Sequence, residues 1–185
     1  GEREVYRALR DQLPNRWVVR YHYPACWLQG ICLKECEADF VVLAPDKGLM
    51  FLEVKSSRGY DSENGLWYRV SVDGRREQTR NPFDQVGGTK HRVVERICQK
   101  LFGTRKEDFP GIFGHAVVYP RGKICGRLPG SIDPALMMAY QDMSNIHDRI
   151  ERAYGLWGTE QRGRQFTPEI MGQVAQFLTD ECQIG

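Results

Sequence analysis

Apolar positions recur along this chain at two different periods, and the changes of period divide it into elements. From Glu2, the residues Val5, Tyr6, Leu9 and Leu13 follow at helical offsets and end at Pro14-Asn15, which predicts an amphipathic first helix with Glu2 on its inward stripe. Trp17 to Tyr23 is β-branched and aromatic and predicts a strand that Pro24 stops, with an irregular stretch from Ala25 to Cys36 behind it. Ala38 to Ala44 and Leu49 to Lys55 are strand-like runs on either side of the turn-forming Pro45-Asp46-Lys47-Gly48, and together they predict a β-hairpin.

Trp67 to Val72 and the residues from Arg75 onward flank Asp73-Gly74, a type I′ turn signal, so a second hairpin is expected, with Arg58 to Gly65 as a mobile loop between the two. Asn81-Pro82 caps and starts a helix that runs through Val86, Val93, Ile97 and Leu101 to Gly103, weakened internally by Gly87-Gly88. Gly114 to Tyr119 reads as a short buried strand. Asp133-Pro134 opens a helix bearing Leu136, Met137, Tyr140, Met143, Ile146 and Ile150 and ended by Gly155, and Thr167-Pro168 starts a last one through Phe177 and Leu178. This order describes an α/β protein with a mixed β-sheet flanked by helices. A core over 1–125 would carry a C-terminal helical extension over 126–185, packing on it or following it.

The first hairpin also carries the chemistry. If its tip centres on Asp46, facing residues have numbers that sum to about 92, and Asp39 lies directly across from Glu53. Side chains alternate along a strand, so Glu53 and Lys55 share a face with Asp39, and two carboxylates and an ammonium converge. Their flanks, Phe40 to Leu43 and Leu49 to Leu52, mark both strands as buried, where charge is costly unless paired or bound to metal. A hard divalent cation is served by one or two carboxylates together with waters and phosphate oxygens. An ordinary ion-pair cluster at a sheet edge is the plain alternative, and a one-residue slip of the hairpin would part the two acids.

Asp39 followed by Glu53-Val54-Lys55 resembles the D…ExK motif of the PD-(D/E)xK phosphodiesterases. Gly1-Glu2 opening the first helix, the strand Glu37 to Leu43, the run Phe51 to Ser56 and the helix start Asn81 to Gln85 are similar to one branch of them, the nuclease-related domain or NERD, over about residues 1 to 120. The resemblance implies a restriction-endonuclease-like sheet flanked by helices, cleavage of DNA with Mg²⁺ or Mn²⁺ leaving a 5′-phosphate, and frequent fusion to helicase or kinase-like domains. It assigns Asp39 and Glu53 as metal-binding acids, the Val54 carbonyl as a backbone ligand, Lys55 as the catalytic lysine, Glu2 as a helix-borne acid and Gln85 as the glutamine of the following helix. Glu2 has an independent argument in its place on the apolar stripe, against which stands a frayed, solvent-facing terminus. Where the wider superfamily often has Tyr or Lys after that glutamine, Gly87, Gly88, Thr89, Lys90 and His91 follow here; Lys90 is kept as a phosphate contact.

Composition adds boundaries. The chain has 185 residues, 41% of them apolar, enough for one compact domain, and a net charge of +2, which by itself announces no nucleic-acid partner. A basic rim is nevertheless expected from Arg58, Arg75, Arg76 and Arg80, with Arg69, Arg92, Trp67 and Tyr68, against the reading of solvated hairpin faces. Cys26, Cys32 and Cys36 beside His22 lack the tight knuckle of structural zinc sites, so reduced thiols are expected. No nucleophile elbow and no phosphate-binding Gly-rich loop occurs, which disfavours covalent hydrolases and nucleotide hydrolysis. No long apolar run or signal peptide is found, so a cytoplasmic protein, nucleoid-associated when on DNA and without membrane contact, is expected. The abrupt entry into the first helix suggests a piece cut from a longer protein, and the helix from Thr167 to Leu178 resembles the segment that precedes a helicase domain in some members of the family, which implies a helicase-type fusion. Two functions follow: a metal-dependent DNA nuclease, or a non-catalytic module that tethers DNA for a fused or partner helicase. An interaction domain with a structural ion-pair cluster ranks third.

Overall fold

The computed structural model describes residues 1–29, 32–161 and 165–183, with 22–29, 32–37 and 181–183 described as backbone only. Helix α1 (Glu2–Gln12) leads into a long antiparallel pair, β1 (Val18–Gln29) and β2 (Cys32–Ala44), and then β3 (Gly48–Val54). A second group follows: β4 (Gly59–Glu63), β5 (Leu66–Val70) and β6 (Arg76–Thr79). Next come α2 (Pro82–Ile97), β7 (Ile112–Val118), the short β8 (Ile124–Cys125) and β9 (Met137–Met138), and finally α3 (Ile146–Gly158) and α4 (Pro168–Gln183).

The strands form two mixed sheets rather than one. The larger has the order β1-β2-β3-β7-β9 and the smaller β6-β5-β4-β8. In the larger, β1, β2 and β3 are antiparallel, while β7 runs parallel to β3 and β9 parallel to β7. Helix α2 lies across β7 and β3, α3 against β7, and α4 against β1 and β2. The mixed α/β fold with C-terminal helices matches the expectation from sequence. Buried residues of α3 and α4 (Ile146, Ile150, Tyr154, Val174, Leu178) belong to the same apolar cluster as Phe40, Leu43 and Phe51 of β2 and β3.

Three local expectations are corrected. Pro24 does not stop the first strand; it pairs with Glu37 in a ladder that continues to Gln29 and Cys32. β1 is an edge strand, and a proline lacking its N–H is tolerated there because one side of the strand needs no partner. The segment 58–65 is not a loop over its length: Gly59–Glu63 is strand β4, joined to β5 by Asn64-Gly65. Both turn residues have positive φ, 52° and 78°, the type I′ signature, and this Asn-Gly was the overlooked signal. The helix expected from Asp133 to Gly155 is broken. Asp133 caps only a 3-10 turn, accepting from the Ala135 amide at 2.8 Å, because Met137 and Met138 are drawn off as an extra strand beside Val117 and Val118. The helix proper starts at Ile146 and runs past Gly155 to Gly158.

Other signals held. Asn81 accepts a hydrogen bond from the Phe83 amide at 2.9 Å at the start of α2, with Pro82 in the first turn. Thr167 does the same for Ile170 at 3.2 Å in α4. The two glycines do not break α2; a Cβ on Gly87 would lie 3.3 Å from the His115 ring, so the residue lets helix and sheet approach closely.

Candidate active site on the strand fork

The hairpin register is the expected one: Phe40 pairs with Leu52, Val42 with Met50 and Ala44 with Gly48, each pair summing to 92. Cross-strand partners share a face, so Asp39, Val41 and Leu43 lie on the face of Leu49, Phe51 and Glu53. The parallel pairing of Phe51 with His115 and Glu53 with Val117 adds β7 to that face, and α2 covers it at Gly87.

The β2–β3 ladder ends at Phe40 and Leu52, and there the strands fork. The Val54 amide, which would otherwise pair with Ala38, instead donates to Asp39 Oδ2 at 2.8 Å. Asp39 is only 9% exposed, so its carboxylate is held at the fork by the backbone beside it. In this ladder the N–H and C=O of one residue point the same way, which turns the Val54 carbonyl toward the fork too. On the other side, the Lys55 amide donates to Val118 O at 2.9 Å and prolongs pairing with β7. Lys55 Nζ lies 3.2 Å from Glu53 Oε1, with side chains 32% and 16% exposed. Two carboxylates, a backbone carbonyl and an ammonium thus gather where one strand pairing ends and the other persists. All the acceptors are hard oxygens.

Gln85 is in the first turns of α2, and its Oε1 is buried without a hydrogen-bond partner among the described residues. An orphaned buried acceptor of this kind asks for a ligand or water. Glu2 accepts from the Tyr21 hydroxyl at 3.1 Å and lines a cleft of about 550 Å³ with Val54, Ser56, Tyr21, Arg3, Arg7 and Arg121. No group of three or more His, Cys, Asp or Glu side chains with metal-binding geometry occurs among the described residues.

A residue missed in the sequence is Tyr119, just beyond β7. It is 1% exposed, accepts from Trp67 Nε1 at 3.2 Å and has its pKa pushed up to about 12, chiefly by burial, with the charge of Glu53 adding to it. Tyr60 stacks on Trp67 with ring centres 5.6 Å apart and lies 5.2 Å from Tyr119. This aromatic wall joins the small sheet to the flank of Glu53. Only the strand-end position of Tyr119 hinted at it.

The expected basic rim divides. Arg58 is exposed and, with Ser56, Ser57, Arg69 and Arg75, lines a second cleft of about 400 Å³. Arg69, Arg75 and Arg76 pair with acids of their own sheet: Glu77, Asp73, and Asp61 with Glu63. Arg76 also lies 4.0 Å above the Tyr68 ring. Arg80 and Arg92 are exposed. Trp67 is 2% exposed and does not stand on the rim. Lys90 is buried, 2% exposed, its Nζ 3.9 Å from the Trp157 ring, and desolvation lowers its pKa to about 8. The side chains of His22, Cys26, Cys32 and Cys36 lie outside the described residues.

No helix among the described residues is long and apolar enough to cross a membrane. No curated protein and no solved structure matches the chain. The sequence profile named Nuclease-related domain matches residues 1–120, a span that contains α1, the strand fork, the Ser56 shared by both clefts, and Tyr119. The chain belongs to the nuclease-related domain family.

Proposed function

We propose that this protein hydrolyses DNA phosphodiester bonds with the help of a divalent cation, Mg²⁺ or Mn²⁺. The observation that carries the reading is the fork itself, where a buried Asp39 tied to the Val54 amide faces the Glu53 and Lys55 pair. Asp39, Glu53 and the Val54 carbonyl form an all-oxygen donor set that suits a hard cation which keeps part of its water shell, and Glu2 would complete it from α1. When bound, the cation supplies Lewis-acid stabilisation of charge on a phosphate.

The chain's own groups do the rest. The Lys55 ammonium is kept beside Glu53 and is available to neutralise charge that develops on a phosphate oxygen. Gln85 presents an unsatisfied carbonyl oxygen that can orient a water or the lysine. Tyr119, backed by Tyr60 and Trp67, lies within reach of the Glu53 charge and adds an apolar neighbour to it, which strengthens electrostatic interactions there. Arg58 and Arg80, with Arg75 and Arg76 once their surface pairs exchange, supply phosphate contacts.

A second reading, a module that holds DNA for a helicase without cutting it, is favoured by the lack of a three-ligand side-chain cluster among the described residues. The deciding test is incubation of the protein with labelled DNA in Mg²⁺, Mn²⁺ or EDTA beside Glu53→Ala and Lys55→Ala. Metal-dependent cleavage abolished in both variants, with DNA affinity kept in Lys55→Ala, supports the nuclease; retention of DNA with no cleavage by the unaltered protein selects the tethering module.

A further inference from the structure

The two clefts adjoin at Ser56, just beyond the fork. One, about 550 Å³, is lined by Arg3, Arg7, Arg121, Tyr21, Val54 and Ser56, together with Glu2 and Glu4. The other, about 400 Å³, is lined by Ser56, Ser57, Arg58, Arg69 and Arg75, with Glu77 as its one acid. Ser56 lines both, and it is the residue after Lys55. Glu2 and Val54, two of the candidate metal ligands, line the first cleft, and the second opens from it at Ser56, so the first cleft is not a blind end.

The charges inside the clefts are not all spent on internal pairs. Arg121 is paired with Glu4 at 2.9 Å, Arg69 with Glu77 and Arg75 with Asp73. Arg3 and Arg7, four residues apart and so on one face of α1, and Arg58 on the opposite side of Ser56 form no ion pair among the described residues. Unpaired guanidiniums are suited to phosphate, which they can bind through two parallel hydrogen bonds. The Ser56 hydroxyl adds a neutral donor to both linings, while those of Tyr21 and Ser57 already donate to Glu2 and to Gly59 O. A polymer with a regular spacing of anions fits two such adjoining clefts; a mononucleotide or a single terminal phosphate uses only one.

We propose that a nucleic-acid strand crosses the fork from the Arg3 and Arg7 cleft to the Arg58 cleft, with phosphates held on both sides of the reacting one, so that the site takes internal phosphodiester bonds. This rests on the nuclease reading and goes beyond it in naming the substrate as a continuous strand and Arg3, Arg7 and Arg58 as its positioning residues. A site that held chain ends would need one of the clefts closed, and here both hold guanidiniums.

The test pairs a cleavage arm with a binding arm. In the first, a covalently closed circle and the linear form of the same DNA, each single- and double-stranded, are incubated with the unaltered protein and Mn²⁺. The expected result is cutting of circle and line at rates within about tenfold of one another. Degradation of the line while the circle survives overturns the proposal. In the second, affinity for an internally labelled oligonucleotide in EDTA is followed by anisotropy against salt for Arg3→Glu/Arg7→Glu and for Arg58→Glu. Each change should weaken binding at least about tenfold and reduce the slope of log affinity on log salt by roughly 0.7 to 1 for each phosphate that the variant no longer neutralises. Unchanged affinity and slope in the Arg3 and Arg7 variant overturns the proposal, and circular dichroism confirms that the variants are folded. If the unaltered protein cuts nothing, it is the nuclease reading that fails, and the binding arm still decides whether a strand spans both clefts.

Discussion

The two hairpins of this protein put charge to opposite uses. In β2–β3, Phe40 to Ala44 and Leu49 to Leu52 are all 0% exposed, and the charged residues stand at the fork where the ladder ends. In β5–β6 the whole of β6 is exposed, and charges face each other across the strands, with Arg69 opposite Glu77 in register and Arg76 between Asp61 and Glu63. A surface pair of this kind costs little to form and little to lose. A carboxylate such as Asp39, 9% exposed among apolar neighbours, is costly to bury and is kept only with partners. The same residue types thus form a solvated face in one hairpin and a candidate site in the other, and burial makes the difference.

That contrast can be broken by measurement, most sharply in the apolar strands. Phe40→Ala should destabilise the protein by about 3–5 kcal/mol in urea unfolding, through forfeited transfer energy and the cavity left behind. Val72→Ala, at a position 75% exposed on the second hairpin, should stay within about 0.5 kcal/mol. Equal costs for the two would remove the distinction.

Next in size is Tyr154→Phe. The hydroxyl is buried between the carbonyls of Val42 and Gly48, at 3.1 and 2.9 Å, and thereby ties α3 to both strands of the first hairpin. Its removal takes a second donor from two buried carbonyls that the strand pairing of Val42 with Met50 and Ala44 with Gly48 already serves, and a cost of about 0.5–1.5 kcal/mol is expected by the same unfolding measurement. A neutral result would mean that α3 adds nothing to the rigidity of the fork.

Titration sharpens the comparison further, because the buried face holds two groups poorly suited to charge. Burial lowers His115 to about 3 from an ordinary 6.5, and Lys90 to about 8 from 10.5. In both the unfolded chain binds the proton more readily, so stability rises with pH through each window. Unfolding free energy should therefore fall as pH drops from about 6.5 toward 3, and should climb from about pH 8 to 10.5. His115→Phe should flatten the acid limb and Lys90→Met the alkaline one; an unaltered pH profile in either variant would contradict the burial argument. The smallest effect belongs to Glu77→Ala, which should change stability by less than about 1 kcal/mol and by less again at high salt, read from denaturation at two ionic strengths.

The sequence by itself determined the elements whose signals are local. The sum rule for the first hairpin and the Asn81 and Thr167 caps depend on the chemistry of a few adjacent residues, and each is where the pattern put it; a hairpin also turns at Asp73-Gly74, but not as type I′, because only Gly74 has a positive φ and Val70 pairs with Arg76. The register of that hairpin put Asp39 and Glu53 on one face, and with Lys55 two residues on, the grouping of acids and lysine could be read along the chain, while the fork that ends the ladder at Phe40 and Leu52 could not. What the tertiary structure alone decided depends on partners distant in the chain. Pro24 lies inside a strand because the sheet leaves that edge free, and Met137-Met138 became a strand because β7 offered an unpaired edge. Lys90 is buried because Trp157 lies over it, and Tyr119 stands beside Glu53 because β7 runs parallel to β3. Local signals act through neighbours a few bonds away and can be read along the chain; burial and the meeting of two clefts at Ser56 are set by contacts across the fold, which no window of sequence contains.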